Sequence, residues 1–92
     1  MSEETNVIRL HEKDNVVTAL CDLAPGVPLK LDEIGVVTRE LIPFGYKVAI
    51  QSIAPGAYVM KYGVAIGVAL RPISPGEVVH THNLKSLAER YE

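Results

Sequence analysis

The chain has 92 residues, 48% hydrophobic and 22% charged, with a formal net charge of -2. That balance excludes a wholly disordered tail and bounds the protein to one small domain, residues 1–92. Lys and Arg are scattered rather than gathered into a basic stripe, which argues against a nucleic-acid partner. The longest apolar stretch, around Val64 to Leu70, is broken by Gly67 and too short to cross a membrane. Aromatic residues are only 5%, with no Trp, so Val, Ile and Leu must fill the core, which points to β structure.

Met1-Ser2-Glu3-Glu4 opens with acid instead of a basic, then apolar, leader, so a cytoplasmic location is expected. Strands are predicted near Val7–Leu10 and Val16–Cys21, joined by a turn at Asp14-Asn15. Cys21 has no second cysteine to pair with and is expected to be an inert, buried small hydrophobe. A phrase then recurs: Leu23-Ala24-Pro25-Gly26, Ile42-Pro43-Phe44-Gly45, Ile53-Ala54-Pro55-Gly56 and Ile73-Ser74-Pro75-Gly76. In three of the four copies Pro directly precedes Gly, presetting φ near −65° before the Gly supplies the positive φ of a type II turn. Tight two-residue hairpins prefer the mirror-image turns, so these Pro-Gly pairs are read as open corners where the sheet folds over itself.

Between the corners, strands are predicted near Leu29–Leu31, Val36–Glu40, Lys47–Gln51, Tyr58–Lys61, Val64–Arg71 and Glu77–His82, with a turn at Asp32-Glu33 and Gly35. Asn83 is placed to cap a short terminal helix with Leu84, Leu87, Ala88 and Tyr91 on one face. Such a helix is too short to persist alone and must dock. The fold class expected is all-β with one short C-terminal helix.

His80 and His82 are the leading candidates for chemistry. On a strand they would project from one face with their bases roughly 7 Å apart. Two imidazoles so placed suit a shared divalent metal or one anionic substrate group. Two ligands do not close a metal site, and His11 becomes a third if the first strand lies beside the last. Lys61 and Tyr62 precede Gly63, where a ligand carboxylate could approach the backbone, and are candidate substrate contacts. Asn83 either touches substrate or caps the helix and thereby orients His82. Lys47 reads as one cation on an alternating strand, and the acidic residues as solvation.

Taken together, Gly45-Tyr46-Lys47-Val48-Ala49-Ile50, Val59-Met60-Lys61-Tyr62-Gly63, Ile66-Gly67-Val68-Ala69 and Val79-His80-Thr81-His82-Asn83, with the proline-glycine phrases between them, resemble the small domain of the altronate and galactarate dehydratase family. The opening Leu10-His11-Glu12-Lys13-Asp14-Asn15-Val16 is similar too, while Tyr46 and Val78 stand where family members often carry histidine. The resemblance implies a SAF domain of the β-clip type that sits beside a much larger catalytic part. It implies removal of water from sugar acids, with ferrous iron as the typical metal. Close relatives remove sulfite from sulfolactate.

Dehydrating a 2,3-dihydroxy acid requires a base for the α proton, a stabiliser for the enolate and an acid for the departing hydroxyl. No carboxylate pair, nucleophile triad or phosphate loop accompanies the histidines, so a complete site within this chain is not expected. The sequence is read as the small subunit or detached N-terminal domain of a sugar-acid lyase, inactive alone. His80 and His82 would join a site completed by a larger catalytic subunit. The rival reading is a stand-alone carbohydrate- or partner-binding module on the same scaffold.

Overall fold

The computed structural model describes residues 5–31 and 34–87. Seven short strands form: β1 (Val7–Ile8), β2 (Val16–Ala19), β3 (Lys47–Ala49), β4 (Tyr58–Lys61), β5 (Val64–Ala69), β6 (Val78–Val79) and β7 (Leu84–Ser86). They make two antiparallel sheets, one ordered β1-β2-β3-β6 and the other β4-β5-β7. The all-β expectation holds. Among the described residues there is no helix, and none long and apolar enough to cross a membrane.

The four corners form as their chemistry dictates. Their glycines take φ between 83° and 92°. Three corners close with the expected turn hydrogen bond: Tyr46 N–H donates to the Pro43 carbonyl at 3.0 Å, Ala57 to Ala54 at 3.0 Å and Glu77 to Ser74 at 3.1 Å. The first corner is held instead by the buried Thr38 hydroxyl, which donates to the Ala24 carbonyl and accepts from Val27 N–H. The hydrophobe before each corner meets its counterpart, Leu23 bridging Ile42 and Ile53 bridging Ile73. These two bridges anchor two core clusters, one containing Leu23, Ile42, Val17 and Val48, the other Ile53, Ile73, Val59 and Val79.

The second half of the chain thus repeats the first. Gly26 N–H bonds the Thr38 carbonyl as Gly56 N–H bonds that of Ala69, and Gly45 bonds Ala19 as Gly76 bonds Ala49. Asn6 spans Pro28 and Lys30 with its carboxamide as Asn15 spans Tyr58 and Met60. The halves diverge in their arms: Tyr58–Ala69 makes a true hairpin, whereas Leu29–Leu31 and Val36–Glu40, expected as strands, are joined by the isolated Pro28–Val37 bridge and backbone bonds such as Leu29 N–H to the Val36 carbonyl, without forming a strand among the described residues.

Two further expectations are corrected. Residues Leu84–Ser86, expected in a helix, form β7 on the open edge of β5, with Ala69 opposite Leu84 and Gly67 opposite Ser86. The missing Cβ of Gly67 makes room for Leu84, whose Cδ1 would lie 2.3 Å from an added Cβ. An available ladder satisfies backbone groups that a short isolated helix would leave to water. Leu87 donates its N–H to Ile66 just beyond the strand, and Ala88 and Tyr91 lie outside the described residues. Cys21 is exposed instead of buried, because β2 ends at Ala19 and the chain turns outward.

Candidate functional site

Asp14 and Asn15 do more than turn the chain between β1 and β2. Both sit at the entry to β2 and reach the free edge of β4. Asn15 donates to the Tyr58 carbonyl and accepts from Met60 N–H. Asp14, wholly buried, accepts Tyr62 N–H at 3.0 Å and Gly63 N–H at 2.8 Å. Their side chains act as a substitute strand that joins the sheets at the β4–β5 tip. Tyr62 and Gly63 form that tip with φ of 62° and 74°, the pattern of a type I′ turn. Tyr62 is 67% exposed there, a bulky residue held in the left-handed region. The anion that meets these two amides is therefore Asp14 itself and not an incoming carboxylate.

β6 stops at Val79, and His80 to Asn83 form a turn, so strand alternation does not place His80 and His82. Asn83 makes the turn. Its buried carboxamide accepts His80 N–H at 2.9 Å and donates to the Val78 carbonyl at 2.9 Å, while its backbone N–H returns to the His80 carbonyl. With both amide atoms committed to backbone, Asn83 reaches any ligand only through the turn it shapes. Arg71 donates to the His82 carbonyl and steadies the far side. Both imidazoles are exposed, and the His80 ring rests against Tyr46 with centroids 4.5 Å apart.

An open groove of about 720 Å³ lies where this turn meets the second sheet. Lys47, His80, Lys85 and Ser86 line it, with Ile66 and Leu84 among the apolar residues. Lys47 is half-buried on β3, and its pKa is lowered, first by loss of water around the ammonium and then by the nearby Lys61 charge. No carboxylate lines the groove among the described residues. Of the residues singled out in the sequence, His80 lines it, Lys61 acts on it through Lys47, and Tyr62 and His82 are not among its lining residues. Lys85 is the addition that the sequence reading missed, and Lys47, read there as one cation on an alternating strand, takes a place in the groove.

β1 and β6 occupy opposite edges of the first sheet, so the first strand does not lie beside the last. His11 packs instead beneath Gly63, where an added Cβ would come within 2.8 Å of its ring, and its Nδ1 accepts Lys13 N–H. Among the described residues no group of three or more His, Cys, Asp or Glu side chains converges to hold a metal ion. A catalytic ion takes about three protein ligands plus water, so these residues do not by themselves fit one.

Residues 5–87 match the family described as altronate/galactarate dehydratase SAF domain. The chain belongs to that family. It is 44% identical over 79 residues to altronate dehydratase of Escherichia coli and 39% identical over 79 residues to altronate dehydratase of Bacillus subtilis. Each match covers 86% of this chain but only 16% of the dehydratase, so this SAF domain spans a small part of those relatives. It is also 44% identical over 48 residues to (2R)-sulfolactate sulfo-lyase subunit alpha of Chromohalobacter salexigens, covering 52% of this chain and 51% of the subunit.

Proposed function

We propose that this SAF domain serves as a small subunit or detached domain of a sugar-acid lyase of the altronate or galactarate type, presenting one wall of a site whose remaining groups lie on a larger chain. The observation that carries the reading is the open groove that Lys47 and His80 both line, with no carboxylate among its described lining residues. Lys47 would bind the acid's carboxylate and favour the negative charge that develops on it as the α proton leaves. His80, stacked on Tyr46 and tied through its N–H to Asn83, would carry a proton to or from the departing group. The base and a water-excluding cover are left to the larger chain, because a groove this open excludes little water.

His80 and His82 would add at most to a divalent ion, ferrous iron by the family's habit, held mainly by ligands of the larger chain. A second reading, with sulfite as the leaving group, is favoured by the 44% identity over 48 residues to a sulfo-lyase subunit alpha. Reconstitution tests the proposal. The purified chain should be inactive on sugar acids and on sulfolactate, the larger chain alone strongly impaired, and the mixture active. Full turnover by the larger chain alone would leave this domain a binding module without catalysis.

A further inference from the structure

One set of positions on the first sheet is covered in the second half of the chain and open in the first. Ile8, Thr18, Lys47 and Val79 stand opposite one another across β1, β2, β3 and β6, so their side chains share a face. Leu20 joins that face two residues after Thr18, because its N–H bonds the Asn6 carbonyl and carries the pairing past the end of β2. The repeat supplies counterparts for three of these residues. Val17 follows Asn15 as Ile8 follows Asn6, Ile50 follows Ala49 as Leu20 follows Ala19, and Val78 follows Gly76 as Lys47 follows Gly45. Val17, Ile50 and Val78 are at most 9% exposed, packed in the first core cluster with Leu29 and Val36 of the first arm. Ile8 and Leu20 are each 42% exposed, and Lys47 is half-buried.

The chain itself thus shows what such a face takes, an aliphatic arm packed against it. A second copy is a poor occupant. An isologous pair would set the face on itself, with Lys47 in both copies and no acid at positions 8, 16, 18, 20, 47, 49 or 79 in either, and a head-to-tail repeat would not close. The row runs from Ile8 through Thr18 to Lys47, which lines the groove, so a partner lying on Ile8 and Leu20 reaches the groove's edge. We propose that Ile8 and Leu20, with Thr18 beside them, form the docking face for the larger lyase chain. An aliphatic segment of that chain takes the place that Leu29 and Val36 hold against Val17 and Ile50. Lys47 stands at the border, where the apolar contact gives way to the open groove. The inference rests on the lyase reading and adds the surface through which the two chains meet.

The test is a calorimetric titration of the full chain into the larger chain of the reconstitution assay, with sedimentation of each chain alone. Leu20→Asp and Ile8→Asp should each weaken association about tenfold or more, the loss expected when a charge is forced into an apolar contact. Val37→Asp changes a comparably exposed aliphatic residue outside this face and should leave association within about twofold. Far-ultraviolet spectra should be unchanged in all three, and if an aspartate variant fails to fold, Leu20→Ser and Ile8→Thr carry the same comparison. Association unaltered by both face variants overturns the docking inference and leaves the lyase reading standing, because the larger chain then binds elsewhere. Self-association of the chain that Leu20→Asp dissolves also overturns it, with a second copy as the occupant. Absence of association between the wild-type chains overturns the inference and the two-chain lyase reading together.

Discussion

The buried carboxylate of Asp14 accepts the Gly63 N–H at 2.8 Å, so a residue between β1 and β2 fixes the tip of a hairpin far along the chain. The same carboxylate holds Tyr62 N–H, and with Asn15 it replaces the missing neighbour of β4. Removing it strands two donors. Asp14→Ala should destabilise the domain by about 2–4 kcal/mol, the range for leaving partly buried partners unpaired. Asp14→Asn, which keeps one acceptor oxygen, should lose less. Urea denaturation reads the difference, and amide exchange at Tyr62 and Gly63 should accelerate more than exchange in β2.

Tyr62 sits at φ 62°, a conformation that strains a residue with a bulky side chain. Asn is preferred at this position of a type I′ turn, so Tyr62→Asn should stabilise the domain by roughly 0.5–1 kcal/mol. If the exposed ring serves the site or the larger chain, turnover of the reconstituted enzyme falls while thermal stability rises. A rise in stability with unchanged turnover would assign Tyr62 no part in function.

The corners were legible because Pro and Gly act on their own backbone, and the strands at Val16, Lys47, Tyr58 and Val64 because their β-branched runs lie between such corners. What failed was decided at a distance. Leu84, Leu87, Ala88 and Tyr91 carry helical spacing, but Gly67 opened a slot for Leu84 and the edge of β5 took residues 84–86 as a strand. Lys47 reads in the sequence as one cation on an alternating strand for the same reason, since the groove it lines is walled by that unexpected strand. His80 and His82 read as alternating neighbours until the carboxamide of Asn83 ends β6 at Val79. A polar residue three positions after His80 was the available hint of a side-chain-closed turn. The duplication was visible only as four phrases, because the pairing of the first with the second and the third with the fourth is a property of the bridges.

Gly67 and Gly56 separate packing from backbone strain. A Cβ at Gly67 would fall 2.3 Å from Leu84 Cδ1 and 2.7 Å from the Lys85 carbonyl oxygen, so Gly67→Ala must push β7 outward. It should destabilise by about 1–3 kcal/mol and weaken acid binding, since β7 carries Lys85. At Gly56 nothing lies within 4 Å, and only φ 84° opposes the change. Gly56→Ala should cost about 1–2 kcal/mol and leave acid binding unaltered. Melting curves and titrations on both variants check the contrast.

Lys47 makes stability depend on alkaline pH. Its folded pKa is lowered by desolvation and by Lys61, so over the interval below the ordinary lysine value the unfolded chain binds more protons than the folded one. Stability therefore rises with pH from the lowered value up to the ordinary one, and the burden of the buried charge is fully present at neutral pH. Lys47→Met should remove this rise and stabilise the domain at pH 7. Lys61→Gln should shrink it, because one of the two causes is gone. Denaturation midpoints between pH 7 and 10.5 distinguish the variants from a wild type whose stability climbs.

The two histidines of the 80–83 turn are predicted to be unequal. His80 faces the groove, stacks on Tyr46 and has its backbone N–H fixed by Asn83, whereas His82 is not among the groove's lining residues and its carbonyl is held by Arg71. In a reconstituted lyase, His80→Ala should lower turnover by about 10²–10⁴-fold, the usual contribution of a positioned proton carrier. His82→Ala should fall much less. Asn83→Ala should act through His80, lowering turnover with a shifted pH profile as the freed turn lets the imidazole leave Tyr46. The opposite pattern is equally readable: equal losses from His80→Ala and His82→Ala, each with a matching loss of bound iron, would mean that both rings ligate an ion completed by the larger chain. Turnover that survives the double variant would remove the histidine pair from the chemistry and leave Lys47 and Lys85 as the domain's contribution.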